Sequence, residues 1–136
     1  MKNINDNQYH KMFNGQEIHD SFLNILILLS KRSQGLLNDM RHSNIYTGIV
    51  HVSEYNKMNQ NQKRVFQRQI RELKKYKIIR KIVSFKSPKN NIASNEEIIH
   101  VPKHTYMIDP FLIKPIDNEI ARAIWNQLEE KQNKEI

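Results

Sequence analysis

The order of hydrophobic and polar positions along the chain predicts helices separated by short strands and polar loops. In residues 20–29 the apolar side chains surround nearly the whole circumference of a helix, which is typical of a buried segment. Asp20 or Ser21 is the expected cap of this helix. A second helix is expected to begin near Ser30 or Ser33.

The stretch from residue 47 to residue 85 carries the most informative pattern. The β-prone residues 49–52 predict a short strand. Ser53 is then expected to cap a short helix, and Asn61 is the expected cap of a longer helix that ends near Tyr76. A short helix, a polar turn and a second helix are the parts of a helix-turn-helix.

The predicted helix over residues 61–76 has one apolar and one basic face. At about 100° per residue, Phe66, Ile70 and Leu73 fall along one side. The outside lacks the interspersed glutamates of an ordinary solvent face, so a polyanion is expected there. Arginine and lysine contact guanine or phosphate, and glutamine can address adenine. The candidate DNA contacts on this helix are Gln62, Lys63, Arg64, Gln67, Arg68, Arg71 and Lys75.

A small antiparallel β wing is predicted after this helix. Residues 78–85 are rich in β-prone side chains, with Ile78, Ile82 and Val83 as candidates to face inward. A polar loop follows, with Lys86 and Lys89 at its entrance, where both are candidate contacts to DNA phosphates. The returning strand is expected at residues 98–101 or at residues 104–108, on either side of Pro102.

A last helix is predicted to begin at Asp117. Its apolar stripe includes Ile120, Ile124 and Leu128, with Trp125 beside it. Three uses are open for this stripe: it packs in the core, it docks on the preceding domain, or it forms the seam of a homodimer. We assign the seam to Ile120, Ile124 and Leu128, because paired winged helices gain affinity on repeated half-sites.

Composition and charge restrict the class of protein. A chain of 136 residues with 38% hydrophobic residues has room for one domain and a short appendage. It has no cysteine, and its longest apolar run, residues 22–29, is too short to span a bilayer. We therefore expect a soluble cytoplasmic protein that does not enter the membrane.

The positive charge of the chain is local. The formal net charge is +8, yet twelve of the 22 Lys and Arg residues lie between Lys57 and Lys89, where Glu72 is the only acid. The remaining ten bases are outnumbered by thirteen acids, so the basicity is a patch and not a general bias. Such a patch points to a polyanionic partner.

The sequence contains no recognisable catalytic or metal-binding constellation. The six histidines are scattered, and only His100 and His104 have a spacing that a helix could use for a metal. A phosphate-binding loop is excluded because the three glycines stand at residues 15, 35 and 48. We therefore expect no enzyme activity, no cofactor and no metal.

Three runs of the chain carry a family resemblance. They are SKRSQGLLNDM, VSEYNKMNQNQKRVFQRQIRELKKYKIIRKI and YMIDPFLIKP. Together they resemble the RepL-type plasmid replication proteins of low-GC bacteria, whose winged helix-turn-helix ends in a strand reading Tyr-Met-Ile/Val-Asn-Pro. Here that motif is Tyr106-Met107-Ile108-Asp109-Pro110, with aspartate in place of asparagine. The resemblance covers roughly residues 20–116 and implies plasmid replication initiation or copy control, with host replication proteins as further partners.

The sequence as a whole predicts a mostly α, winged helix-turn-helix protein that binds double-stranded DNA. Residues 1–19 lack a sustained period and are rich in asparagine, so we expect a polar tail or a loosely docked arm. The DNA-binding domain is expected over residues 20–116 and a C-terminal helix over residues 117–136. A transcriptional repressor on the same scaffold and a winged-helix module that binds protein remain alternatives.

Overall fold

The structure, a computed structural model, describes residues 8–11, 16–88 and 98–134. Over these residues it is a mixed α/β fold, about half helical, with four α-helices and small antiparallel sheets. The expectation of a mostly helical chain understated the strands. In chain order the elements are β1 (Tyr9–Lys11), β2 (Glu17–His19), α1 (Asp20–Leu26), α2 (Lys31–Ser43), β3 (Ile49–His51), a 3₁₀ helix (Ser53–Lys57), α3 (Gln60–Lys75), β4 (Ile79–Lys81), β5 (Ser84–Lys86), β6 (Ile98–His100), β7 (Thr105–Ile108), β8 (Ile113–Lys114) and α4 (Asn118–Lys134).

The central sheet has the strand order β3-β7-β4, and all its pairs are antiparallel. Val50 lies opposite Tyr106, and Arg80 lies opposite Met107. All four residues of β7 are buried, as expected of a strand that is paired on both sides and covered by helices. The other described sheets are β1-β2-β8 and the hairpin β5-β6.

Two apolar clusters form the core. The larger one joins α1, α2 and α3 to the central sheet through buried residues such as Phe22, Leu37 and Leu73. The smaller one lies between α4 and the β5-β6 hairpin. Its buried members are Ile82, Phe85, Met107, Ala121, Ile124, Trp125 and Leu128. The hairpin is therefore packed on the C-terminal helix. None of the described helices has the length and apolar character needed to cross a membrane.

A polar tail or a loosely docked arm was expected over residues 1–19, but Tyr9–Lys11 and Glu17–His19 are paired strands of a sheet. These residues form β1 and β2, and β2 pairs with β8 near the other end of the chain. Ile18 is 1% exposed, and the hydroxyl of Tyr9 donates hydrogen bonds to the carbonyls of Pro110 (3.2 Å) and Phe111 (2.7 Å). Strands of three residues are too short to produce a periodic pattern, and their pairing partner is distant in sequence.

The first helix is shorter than its apolar pattern suggested. It buries only Phe22, whereas Ile27 and Leu28 lie beyond its end and are 79% and 58% exposed. The cap is the His19 side chain, which accepts a hydrogen bond from the Ser21 backbone, so neither predicted cap was correct. The second helix begins as predicted, with the Ser30 hydroxyl accepting from the Ser33 backbone N–H.

The start of α3 differs from the prediction by two residues. Asn59 caps the helix instead of Asn61, and residues 53–57 form a 3₁₀ helix without a side-chain cap from Ser53. The Asn59 side chain accepts from the Gln62 backbone at 2.8 Å, and the Gln62 side chain accepts from the Asn59 backbone at 2.9 Å. This reciprocal capping box satisfies two backbone N–H groups at once, which favours Asn59 over its neighbours.

The end of α3 is closed by a Schellman motif. The N–H of Ile78 donates to the carbonyl of Leu73, and the N–H of Lys77 donates to that of Lys74. Lys77 has a φ of 59°, a left-handed conformation that usually favours glycine. The sharp turn that results leads the chain directly into β4.

A short antiparallel hairpin, β5-β6, lies where the wing was predicted, but its details differ from the prediction. The run 78–85 divides into β4 and β5 on either side of Val83, which is 67% exposed and does not face inward. Ile78 and Ile82 are buried as expected. Both candidate returning strands exist, because β6 closes the hairpin and β7 joins the central sheet. Lys89 lies outside the described residues.

The C-terminal helix begins directly after Asp117, as predicted. Its apolar stripe packs within the same chain: Ile124 is 2% exposed, Leu128 is 3% exposed, and Ile120 is partly buried against the same cluster. Of the three uses expected of this stripe, the structure shows packing within the chain, and the buried Ile124 and Leu128 are not exposed as a seam would require. The hairpin and the central sheet supply the apolar surface that covers the stripe.

Candidate functional site

Helix α3 separates a core-facing side from a basic outer side. Phe66, Ile70 and Leu73 are buried, at 5%, 5% and 0% exposure, so these side chains anchor the helix in the core. The basic side chains of the outer side are not members of that core. The predicted contacts that are exposed on α3 are Gln62, Arg64, Gln67, Arg68, Arg71 and Lys75, and Lys63 is partly buried.

The only acid of α3 is turned toward another helix. Glu72 Oε1 accepts a hydrogen bond of 2.8 Å from the backbone N–H of Ser30, the cap residue of α2. This bond is the main reason that the pKa of Glu72 lies below its usual value. A carboxylate at this position also complements the positive end of the α2 dipole. The negative charge is thus engaged at the α2–α3 contact, and the charge of Lys75 also contributes to the lowered pKa of Glu72.

Two glutamines of α3 are held in place by neighbouring groups. Gln62 belongs to the capping box, so its side-chain oxygen closes the start of the helix. Gln67 Nε2 donates a 2.6 Å hydrogen bond to the hydroxyl of Tyr55 on the 3₁₀ helix. The Tyr55 ring lies 5.6 Å from the ring of Phe66. The 3₁₀ helix is therefore fixed to α3 by both a polar and an apolar contact.

The predicted contact Lys86 lies on β5, a separate element from α3, and is exposed. Its strand is supported by α4, because the Gln127 side chain accepts from the Lys86 backbone N–H (2.8 Å) and donates to its carbonyl (3.0 Å). At the base of the hairpin, the Arg80 guanidinium lies 3.9 Å from the centre of the Trp125 ring and donates to the Trp125 carbonyl. The hairpin and the strand that precedes it are thus both held against α4.

A second group of basic residues was missed in the sequence. Lys81 ends β4 and His51 ends β3, and both strands pair with the first residues of β7. Lys103 and His104 form the turn just before β7. The register therefore brings four basic residues from three separate segments to one edge of the central sheet. No sequence pattern links them, since only the pairing of β3, β7 and β4 places them together.

The closing motif of the resemblance has a structural role in this fold. Tyr106, Met107 and Ile108 are the buried residues of β7, and the Tyr106 ring lies 6.4 Å from that of Phe66. Asp109 Oδ1 accepts a hydrogen bond from the Phe111 backbone, which turns the chain toward β8. The motif therefore packs against the core-facing side of α3 through Tyr106, and its residues are buried instead of being exposed for contact with a partner.

The described residues contain no cluster of three His, Cys, Asp or Glu side chains that could hold a metal ion. Two open clefts lie beside α2. One, of about 300 Å³, is bordered by Leu26 and Arg41, and the other, of about 270 Å³, lies between α2 and α3 beside Arg68 and Glu72. Comparisons of the chain with protein-family models, with curated proteins and with solved structures found no match.

Proposed function

We propose that this chain is a winged helix-turn-helix protein that binds double-stranded DNA through α3. The order of elements supports this assignment: α2, β3, the 3₁₀ helix, α3, β4, the hairpin and β7 follow the order of helix, strand, short helix, recognition helix and wing. Only two residues, Met58 and Asn59, separate the 3₁₀ helix from α3. The short first helix of the motif is a single 3₁₀ helix here.

The proposal rests on the orientation of the Glu72 side chain, whose carboxylate is bonded to the cap residue of another helix. A solvated helix face normally mixes acids with bases, since like charges at three and four residues repel. Here the one acid of the helix is bound to the start of α2, and Arg64, Arg68 and Arg71 recur on the exposed side. Such a face is complementary to an extended polyanion, and a duplex offers phosphates along its whole length.

The chemistry of the face suits both modes of DNA contact. An arginine fork binds a phosphate, or the O6 and N7 atoms of guanine, with two hydrogen bonds. Helix α3 has 16 residues and is therefore about 24 Å long. With its side chains a helix is about 10–12 Å in diameter, which fits the major groove of about 12 Å width. Lys75 is near the C-terminal end of α3, and Lys86 on the hairpin is suited to the flanking backbone, where contacts orient the protein without reading sequence.

Within DNA-binding functions, we assign the chain to plasmid replication initiation or copy control. The basis is the resemblance of its three runs to the RepL-type proteins. In this role, binding at repeated sites recruits or orients host replication proteins, and the chain itself performs no chemistry. A transcriptional repressor has the same contact chemistry and differs in where its sites lie.

Fluorescence anisotropy with a labelled duplex tests the proposal. We expect binding that weakens about 100-fold or more between roughly 50 and 200 mM salt, because several phosphates are neutralised. Selection of bound duplexes from a randomised library should enrich one sequence. The occurrence of that sequence beside a plasmid origin indicates a role in replication, and its occurrence beside a promoter indicates a transcriptional repressor. If no duplex is bound at about 100 mM salt, the proposal fails and a protein-binding winged helix is the better interpretation.

A further inference from the structure

The edge of the central sheet that faces the 3₁₀ helix gathers basic residues. Lys81 and His51 are the last residues of β4 and β3, opposite Tyr106 and Thr105. We call the set Lys63, Lys81, Lys103, His51 and His104 the sheet-edge patch. Lys81, Lys103 and His51 are exposed, and Lys63 and His104 are partly buried.

The centre of the patch is His104, which is held in an unusual conformation. Its φ of 63° lies in the left-handed region, and its ring stacks on that of Tyr55 with 3.8 Å between centroids. Lys63 Nζ lies 5.3 Å from the centre of the same Tyr55 ring. The Tyr55 ring therefore joins His104 to the first turn of α3.

The electrostatics of the patch are repulsive. Burial lowers the pKa of His104, and the neighbouring side chains of Lys81, Lys103, His51 and Lys63 lower it further. The 3₁₀ helix that packs against the ring also carries Glu54 and Lys57, which have opposite charges and are both exposed. A collection of like charges from several segments is unfavourable in the free protein, and an anion bound among them would relieve the repulsion.

The patch adjoins two parts of the proposed interface. Lys63 is in the first turn of α3 and is followed directly by Arg64, which is exposed. Lys81 stands three residues before the hairpin strand β5. Tyr55 contacts the patch through His104 and contacts the outer face of α3 through Gln67. The patch therefore adjoins α3 through the Tyr55 ring and includes the last residue of the strand that precedes the hairpin.

We propose that the sheet-edge patch is a second binding site for the phosphodiester backbone of DNA, with Lys81 and Lys103 as its main phosphate contacts. This inference rests on the proposed function and extends it beyond α3 and the wing. Lysine binds phosphate as a point charge and carries no sequence information in such a contact. The site thus adds affinity that is equal for all duplexes and depends strongly on salt.

The test is a salt titration of duplex binding by the double variant Lys81→Gln/Lys103→Gln. The matched control is Lys11→Gln/Lys31→Gln, which removes the same charge from exposed positions on β1 and α2. A labelled 20-base-pair duplex of mixed sequence is the probe, and a second duplex of unrelated sequence checks independence from sequence. The charge-preserving variant Lys81→Arg/Lys103→Arg reports whether charge alone is needed.

We expect the glutamine variant to flatten the log–log salt dependence by about 1–2 units and to lose about tenfold in affinity at low salt on both duplexes. The arginine variant should keep the slope of the parent. If the glutamine variant matches the control variant, the sheet edge is outside the interface and the inference is overturned.

Binding by the variant Arg64→Ala/Arg68→Ala distinguishes failure of the sheet-edge proposal from failure of the proposed function. If Arg64→Ala/Arg68→Ala loses binding while the sheet-edge variant does not, only the second site is wrong. If the arginine-to-alanine variant binds as the parent does, the recognition helix itself is wrong.

Discussion

The carboxylate of Glu72 and the backbone N–H of Ser30 form a 2.8 Å hydrogen bond that joins the third helix to the start of the second. The bond has two effects. It places a negative charge at the N-terminus of α2, where an anion is stabilising, and it engages the one acid of α3 in a contact with another helix. Glu72 therefore contributes to the packing of the two helices, and the exposed predicted contacts of α3 include no acid.

Replacing Glu72 with glutamine should separate these two effects. We expect the free energy of unfolding at pH 7 to fall by about 1 kcal/mol, because the charged acceptor is lost from the helix start. Duplex binding should be unchanged or tighter. Chemical denaturation and anisotropy measure the two quantities, and a variant that is as stable as the parent would show that the bond is not stabilising.

The pH dependence of stability should also change in this variant. The folded-state pKa of Glu72 is lowered, mainly by the Ser30 backbone hydrogen bond, so its contribution is present above the ordinary value of 4.5 and is lost as the pH falls through the folded pKa. Denaturation at pH 7 and at pH 4 should therefore show a larger difference for the parent than for Glu72→Gln. Equal differences would contradict the assignment of a charged Glu72.

Lys77 offers a stabilising substitution at the end of α3. Its left-handed conformation costs an L-residue about 1 kcal/mol, and glycine has no such cost. Lys77→Gly should therefore raise the free energy of unfolding by about 0.5–1 kcal/mol, as measured by denaturant titration. A loss of stability would mean that the aliphatic part of the lysine contributes more by packing than the backbone strain costs.

The C-terminal helix should be part of the fold and not an optional appendage. Ile124→Ala is expected to lower the free energy of unfolding by about 2–5 kcal/mol, because its side chain is 2% exposed under the hairpin. Asn126→Ala, on the exposed side of the same helix, should stay within about 0.5 kcal/mol of the parent. A tolerated Ile124→Ala would contradict the packing of α4 on β5 and β6.

Helix α3 could be predicted well, because 16 residues give the apolar period enough turns to be recognised. Its cap was misplaced since Asn59, Gln60, Asn61 and Gln62 are all polar in sequence. Only the reciprocal bond between Asn59 and Gln62 distinguishes them. A local pattern thus determined the type of element, and a specific side-chain geometry determined its boundary.

Features that depend on distant pairing could not be predicted. β1 and β2 have three residues each, and their order comes from Tyr9 and Ile18 meeting the segment around residues 110–113. The stripe on α4 was assigned to a dimer because the hairpin that covers Leu128 is not visible as a partner in the sequence. The basic sheet edge depends on strand register in the same way.

The sheet-edge patch should couple DNA binding to proton uptake. The pKa of His104 is lowered in the free protein by burial and by neighbouring cations, so the ring is neutral at neutral pH. A bound phosphate raises that pKa, and affinity should therefore increase as the pH falls from about 8 to 6, by up to about tenfold for each unit of pKa change.

Asparagine is the suitable replacement at this position, because it tolerates a positive φ. His104→Asn should bind at pH 8 nearly as the parent does and should lose part of the increase at pH 6. Anisotropy at the two pH values measures this difference, and an identical pH profile would place His104 away from the phosphates.

The central claim is that the outer face of α3 binds duplex DNA, and one comparison tests it most directly. Arg64→Ala/Arg68→Ala removes two positive charges from that face, and Lys11→Ala/Lys31→Ala removes two from β1 and α2, with all four side chains exposed. Both variants should stay folded by circular dichroism. In an anisotropy titration the arginine variant should bind duplex DNA at least about 10-fold more weakly than the lysine variant. Equal affinities of the two folded variants would contradict the claim that α3 is the DNA-binding helix.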